Sequence, residues 1–556
     1  MKKKDVDIKK YFSKAFENHK NNNFEDAEKY YNRVLELNPT HFESLFYIAS
    51  LFAQKKFFLR AKEFFERAIK VRPSYDVAYS NLGAVLKELG KFEESVDACK
   101  KAIKIKSKNH IAYSNLGAVL RELGKYRESI IACEKALQIS PNNIDAYHNL
   151  GLAFQESNEI AKAIICYEEL IKINLKNVNA YQNLGKLKTM IGETKEAIKY
   201  YNLARKIEPE NLLNQYNLIE LDKTYLNKDY ENELNLTMQN NQLNKKNLAY
   251  GYFIKSKYEI KNRNYKKEFE YLIKGHNYYL SSEELKYNND INYWLNVLPK
   301  KSELFDTKLI KTKILSSLDK VNPIFVIGTP RCGSTLVEKI IASGPEHISI
   351  GEETGVFSSF IKKKIINNKS IYDEIESAPQ IILDKYIEKN ILKENKISFF
   401  TDKTLDNFFY INFIKKIFPK AKFINCKRAP IASIISILKN NLPQVSWAHD
   451  LNNIFNYFNI YHQKIEKFKN FFPDVIYDLN FENLANNPEE ESKNIMKFCN
   501  LTWSSNCLKF YERKDLISKT TSNIQIRQEI YKHSLEKYIP YKEFLNNYGK
   551  KFNWFK

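Results

Sequence analysis

What is missing narrows this sequence first. Nowhere in its 556 residues does an apolar run approach the ~18–20 residues that would span a bilayer. The opening stretch, MKKKDVDIKKYF, has basic side chains but no apolar segment of the kind a secretory signal needs, so no signal peptide is expected. The seven cysteines (Cys99, Cys133, Cys166, Cys332, Cys426, Cys499 and Cys507) form no C-x-x-C pair and fall at no His/Cys metal spacing. Such an odd, scattered set argues against a disulfide framework and points to a reducing, cytoplasmic setting. The charge excess of +22 does not gather into one basic block. Lysines are dispersed, and Lys, Asn, Ile, Tyr and Phe are abundant together, as an AT-rich genome would give. Nucleic-acid binding is therefore not expected. What is present, 43% hydrophobic and 14% aromatic residues, can fill sizeable cores. The length suggests about two to four domains.

A period of 34 organises the first third. Gly83, Gly117, Gly151 and Gly185 lie on it, as do the small residues Ala61, Ser95, Ser129, Ala163 and Ala197. Pro39, Pro73, Pro141 and Pro209 share the same grid. Each unit has two short amphipathic segments divided by a turn, as in AYSNLGAVLKELGKF. This pattern resembles the tetratricopeptide repeat. Small residues let the two helices of a unit approach, and Tyr31, Phe65, Cys99, Cys133, Tyr167 or Tyr201 fills the gap. Cys99 and Cys133 are thus expected as core filler. Six units are predicted over residues 10–213, with degenerate helices of the same type over 214–280 and a helical connector over 281–322.

Asn81, Asn115, Asn149, Asn183 and Asn217 also keep the 34-residue phase. In repeats of this type that position faces the inner groove of the superhelix. Stacked helices lie roughly 8–10 Å apart, about three residues of extended chain at ~3.3 Å each. An amide side chain both donates and accepts, so such a ladder suits a peptide backbone of any sequence. The repeats of O-linked N-acetylglucosamine transferase look similar and use a ladder of this kind on protein substrates. The alternative is that these residues pack or solvate the groove, and the sequence leaves both open.

From residue 323 to about 550 the pattern changes to strands alternating with helices, which predicts a parallel sheet covered on both faces. Strands are expected at 324–327, 397–401, 421–426 and 475–479, and helices at 334–343, 407–418, 430–440, 451–470 and 488–499. Ligands then bind beyond the carboxyl ends of the strands. There lies G-T-P-R-C-G-S-T, Gly328 to Thr335, a phosphate loop in which Ser334 stands where a nucleotide-hydrolysing P-loop has lysine. That lysine belongs to triphosphate and Mg²⁺ chemistry. Successive N–H groups at a helix N-terminus suit any phosphate, and Arg331 can fork onto phosphate or sulfate oxygens. A second anion cradle follows in FINCKRAPIASIISILKNN, where Arg428 ends a strand and Ser433 and Ser436 sit on the next helix. Two separate phosphate sites suggest a nucleotide with a 5′ group and a 3′-phosphate.

That layout resembles the sulfotransferases that use 3′-phosphoadenosine 5′-phosphosulfate (PAPS). P-R-C-G-S-T-L is similar to their 5′ loop, and S-I-G-E-E-T, Ser349 to Thr354, to the base-bearing segment of tyrosylprotein sulfotransferases. Bacterial sulfotransferase-like proteins combine repeats and such a domain in the same order, so the resemblance covers essentially the whole chain. It implies that Arg331, Cys332, Gly333, Ser334 and Thr335 hold the 5′-phosphosulfate. Arg428 and Ser436 would hold the 3′-phosphate, with Ser433 a weaker candidate. Glu353 would be the general base, with Glu352 as its rival, and Lys403 in T-D-K-T would stabilise charge at the bridging oxygen. Ser522 and Lys537 match further cofactor contacts. Phe481 occupies a position usually Tyr, which keeps packing on the nucleotide and loses a hydroxyl. Asn440 replaces an arginine, so 3′-phosphate binding would lean on Lys439.

The expected protein is thus an N-terminal all-α tetratricopeptide superhelix followed by a C-terminal α/β sulfotransferase domain. It would move a sulfuryl group from PAPS to an acceptor hydroxyl, with no metal. The repeats would bind a protein or peptide acceptor, with tyrosine the hydroxyl the resemblance favours. Saccharide, lipid and small-molecule acceptors stay open, as does the oligomeric state. The alternatives are a P-loop kinase or nucleotide hydrolase, and a non-enzymatic repeat scaffold with an inactive nucleotide domain.

Overall fold

The computed structural model describes residues 2–240, 242–303, 318, 320–366, 377–393, 398–513, 515–518, 525–530 and 535–555. The chain packs as two compact units divided between Ala180 and Tyr181. The 34-residue pattern runs on to about residue 213, so sequence period and packing place the division differently.

The first unit is a run of helix pairs, among them Phe42–Gln54 with Phe58–Val71, Asp76–Glu88 with Phe92–Ile105, and His110–Glu122 with Tyr126–Ile139. The repeat positions explain why they pair. A methyl group on Gly83 would collide with Cys99 Sγ at 2.6 Å, and one on Gly151 with the Tyr167 ring at 2.9 Å. Only a residue without a side chain lets the filler seat there, and Cys99 and Cys133 are buried thiols in that role. Ser95 Oγ donates to Gly83 O at 2.6 Å and Ser129 Oγ to Gly117 O at 2.7 Å, so the small residue on the second helix also binds the glycine carbonyl. The ladder asparagines are half-buried. Asn115 Nδ2 donates to Ser80 O at 3.0 Å and Asn149 Nδ2 to Ser114 O at 3.3 Å. In these two the amide donor ties one repeat to the one before it, which gives the packing alternative a geometry.

The second unit holds a five-stranded sheet: β1 (Val321–Gly328), β2 (Ile348–Ile350), β3 (Ser398–Asp402), β4 (Lys422–Lys427) and β5 (Ile476–Asn480). All pairings are parallel, in the order β2-β3-β1-β4-β5. β1 is central and buried on both sides. Ile324 and Val326 face Val337, Ile340 and Ile341, while Phe325 and Ile327 join the opposite core with Phe400 and Phe423. That is why its sequence is a continuous apolar run rather than an alternating one. The chain crosses from one half of the sheet to the other around β1, which opens a crevice at its carboxyl end.

The helices before the sheet share its core. One continuous apolar cluster runs from Leu212, Tyr216 and Phe253 through Phe325 and Phe423 to Leu545. The Tyr265–Ser282 helix carries much of this contact on one face, with Tyr265, Glu268, Leu272, His276 and Tyr279 at three- and four-residue spacings. His276 Nδ1 lies 2.8 Å from His449 Nδ1, and His276 Nε2 lies 3.0 Å from Leu438 O. Tyr279 stacks on His449 at 4.3 Å. Burial pushes the His276 imidazole down to about 4, so this pair is held neutral. No helix among the described residues is long and apolar enough to cross a membrane. All seven cysteines are buried free thiols.

Candidate active site at the carboxyl end of the sheet

The loop after β1 enters the Ser334–Ala342 helix through Gly333, whose φ of +99° is left-handed. A side chain there would strike the Phe481 ring, so Phe481 packs directly on the loop. Arg331, at φ +68°, is left-handed without being glycine. Such a conformation costs of order 1–3 kcal/mol and is held only where the surroundings enforce it. Here they do. Arg331 Nε donates to Ser436 Oγ at 3.0 Å, and Arg428 donates to Arg331 O at 2.8 Å. Arg428 also donates to the Tyr538 hydroxyl at 3.1 Å, and its guanidinium lies 4.8 Å from the Phe481 ring centre. The two guanidinium groups crowd each other. Burial, then Arg428 beside it, pulls Arg331 down to about 10. A buried guanidinium depressed by a second one beside it calls for an anion.

Cys332 is 1% exposed, and its thiol is buried beneath the loop against Gly328 and Cys426. A hydrogen bond with Cys426 holds the Cys332 thiol below its ordinary value despite burial. What Cys332 can offer a ligand is therefore main chain, not sulfur.

A buried ionic cluster lies across the crevice. Lys403 follows β3 and is 1% exposed at its side chain; its Nζ is 3.2 Å from Glu353 Oε1, and Glu353 is 59% exposed. Glu352 differs from its neighbour. It is 4% exposed, at φ +51°, and its carboxylate pairs with Lys339 Nζ at 3.0 Å. Its backbone N–H donates to Glu338 Oε1 at 3.0 Å, and Thr401 Oγ1 donates to the same oxygen at 2.6 Å. Burial pushes the Glu338 carboxyl up, against the pull of Lys339 and Lys403. Burial alone would lower the Lys403 ammonium, but Glu353, Glu352 and Glu338 outweigh it and hold the group above its ordinary value. The cluster therefore presents one accessible carboxylate, Glu353, backed by one firmly charged lysine. Adjacent Asp402 fixes the strand end by accepting from Tyr386 at 2.6 Å, Thr404 at 2.7 Å and Asn407 at 2.9 Å.

The structure brings Arg331, Gly333, Arg428, Ser436 and Phe481 into contact, and it pairs Glu353 with Lys403 beyond the carboxyl ends of β2 and β3, on the same edge of the sheet as the loop after β1. Ser433 is on the same helix as Ser436, fully buried, and its hydroxyl makes no hydrogen bond among the described residues. Lys537 lies on the Leu535–Tyr541 segment, next to the Tyr538 that binds Arg428. Ser522 lies outside the described residues. Lys439 departs from expectation. Its ammonium is bound by Glu268 at 2.9 Å and by the Tyr541 hydroxyl at 2.7 Å, so it is not offered to a ligand in place of an arginine at Asn440. Asn440 Nδ2 instead donates to Ser436 O at 2.7 Å.

Known proteins are similar to this chain in two regions. A Sulfotransferase family model matches residues 323–505. The chain carries a sulfotransferase-family domain behind tetratricopeptide repeats. Tetratricopeptide models match residues 20–76, 77–109, 108–176 and 178–211. An "Uncharacterized protein" of Aquifex aeolicus (strain VF5) is 29% identical over 310 residues, 53% of this chain and 40% of that one. "Protein-tyrosine sulfotransferase 1" of Danio rerio is 26% identical over 211 residues, 35% of this chain and 57% of that one. The chain thus spans less than two thirds of either relative. Among solved structures, the MamA protein is 22% identical with a TM-score of 0.28, covering 31% of this chain and 94% of that one.

Two sets of residues around the site escape sequence reasoning. Glu338 and Lys339 read as ordinary charges on the loop helix, yet both are fully buried under the site. The available signal was their place inside the apolar run TLVEKIIA, where two adjacent charges are not solvated by an amphipathic face. Glu268, Tyr538 and Tyr541 lie outside residues 323–505, where neither loop motif nor repeat period points to them.

Proposed function

We propose that the chain is a PAPS-dependent sulfotransferase that moves a sulfuryl group to an acceptor hydroxyl. The observation that carries this reading is the exposed Glu353 carboxylate paired with buried Lys403, on the same edge of the sheet as a lysine-free anion loop and two crowded arginines. The donor set fits PAPS: one anion site at Arg331 and the loop helix, a second at Arg428 and Ser436, and the Phe481 ring between them. When bound, PAPS supplies the sulfuryl group and a phosphate leaving group.

The chain's own residues divide the remaining work. Glu353 takes the proton of the acceptor hydroxyl, and a positioned base of this kind typically contributes about 10²–10⁴-fold. Lys403, held charged by three carboxylates, faces the negative charge that grows as the bond breaks. Arg331 and the loop main chain of Cys332, Gly333, Ser334 and Thr335 hold the 5′ group. Arg428 and Ser436 hold the 3′-phosphate, with Ser433, Lys537 and Ser522 as further contacts. The buried pairing of Glu352 with Lys339 supports Glu353 over Glu352 as the base.

A protein tyrosine is the acceptor favoured by the likeness to the Danio rerio relative. The tetratricopeptide repeats would engage that acceptor or a partner protein, with Asn81, Asn115, Asn149, Asn183 and Asn217 as the candidate ladder. Calorimetric titration of the purified chain with adenosine 3′,5′-bisphosphate and, separately, Mg·ATP tests the nucleotide class. The expected result is tight binding of the bisphosphate and weak or no binding of Mg·ATP. Tight binding of Mg·ATP alone would favour a kinase or hydrolase instead.

A further inference from the structure

The anion cradle is braced by a residue that lies well before the sulfotransferase-family match. Glu268, on the Tyr265–Ser282 helix, is 2% exposed. Its Oε1 lies 2.9 Å from Lys439 Nζ, and its Oε2 accepts from the Tyr541 hydroxyl at 2.6 Å. Lys439 also donates to Tyr541 at 2.7 Å, which closes a triangle of three side chains from three segments.

Each partner of Glu268 sits one turn from a residue of the cradle. Lys439 follows Ser436 by three residues on the Pro430–Asn440 helix, and Ser436 receives Arg331 Nε. Tyr541 follows Tyr538 by three residues in the Leu535–Tyr541 3₁₀ segment, where such residues eclipse. Tyr538 receives Arg428. One buried carboxylate therefore holds both arms: Glu268 to Lys439 to Ser436 and Arg331, and Glu268 to Tyr541 to Tyr538 and Arg428. Aromatic contacts of the same helix, Tyr265 on Tyr541 at 5.5 Å and Phe269 on Phe544 at 4.9 Å, seat it against the C-terminal segment.

We infer that Glu268 is a positioning residue for the 3′-phosphate half of the site, so that the Tyr265–Ser282 helix takes part in nucleotide recognition. The inference rests on the PAPS reading above. Its physical basis is charge as well as geometry. Without the Glu268 carboxylate, Lys439 is a poorly solvated cation near Lys257 and Lys537, and it can no longer hold the end of its helix in place.

The test is calorimetric titration of the full chain and of Glu268→Gln with adenosine 3′,5′-bisphosphate and with adenosine 5′-monophosphate, which lacks the 3′ group. Glu268→Gln should weaken the bisphosphate by about tenfold or more, the scale of a lost hydrogen bond to a charged group. Affinity for the monophosphate should stay within about twofold. Tyr541→Phe removes the two hydrogen bonds of the hydroxyl, to Glu268 and from Lys439, and no charge. It should weaken the bisphosphate selectively by about two- to tenfold, and it answers the question even where Glu268→Gln fails to fold. Equal losses for both nucleotides, or no loss for either, would overturn the inference while leaving the PAPS reading standing. A wild-type chain that does not prefer the bisphosphate would overturn both.

Discussion

Replacing Glu353 by Gln is expected to lower sulfuryl transfer by about 10²–10⁴-fold while leaving affinity for adenosine 3′,5′-bisphosphate unchanged. The amide keeps the shape of the side chain and an oxygen that can accept from Lys403, but it cannot take a proton. Because Glu353 is 59% exposed, its ion pair with Lys403 contributes only about 0–1 kcal/mol to folding. The unfolding midpoint should therefore stay put. Steady-state transfer assays, calorimetry and a thermal melt on the same preparation check all three expectations. The matching change at Glu352 should behave differently. That carboxylate is the buried partner of Lys339, so Glu352→Gln should lower the melting temperature. Full activity in Glu353→Gln would remove the base assignment.

Lys403→Met should give the opposite pairing of effects, a rate loss together with a loss of stability. Removing a preorganised group that faces developing charge typically lowers kcat by about 10²–10³. The lysine is also the buried counter-charge to Glu338, Glu352 and Glu353. Breaking a buried pair by removing one partner costs about 3–5 kcal/mol, because the remaining charge has neither water nor partner. Glu338, already pushed up by burial, is the group expected to answer by taking a proton. A melt and a transfer assay would show both losses. Unchanged stability would mean that the cluster does not depend on Lys403, and an unchanged rate would remove its role at the leaving oxygen.

How far the sequence could be read depended on the range of the interaction. Local periodicity carried the repeats: the collision of a Gly83 side chain with Cys99 is a 34-residue pattern expressed as packing. The strands at 324–327, 397–401, 421–426 and 475–479 were visible as short apolar runs; the first lies inside an observed strand that starts three residues earlier, and the other three are each offset by one residue. β2 was not visible. Three residues at a sheet edge carry no periodic signal, and its segment attracted notice only for the motif beside it. The helices Val356–Ile366 and Ala378–Glu388 were also missed, in a stretch of mixed Lys, Asn and Ile without a clear apolar stripe.

The site divides the same way. Arg331, Glu353, Lys403 and Arg428 sit in motifs at strand ends, and the parallel sheet gathers those ends at one crevice. Glu268 and Tyr541 are 273 residues apart in the chain. No local pattern links them, and the pair exists only because helices that look like worn repeats share a core with the sheet. Lys439 misled for a related reason: its position beside Asn440 suggested a phosphate contact, and a carboxylate from another segment had already bound it.

The central claim is sulfuryl transfer, and incubation of the full chain with PAPS labelled in its sulfuryl group, together with a protein extract, tests it most directly. The account predicts labelled protein, matching release of adenosine 3′,5′-bisphosphate, and loss of both in Glu353→Gln. PAPS left intact under conditions where the folded chain consumes ATP would contradict it.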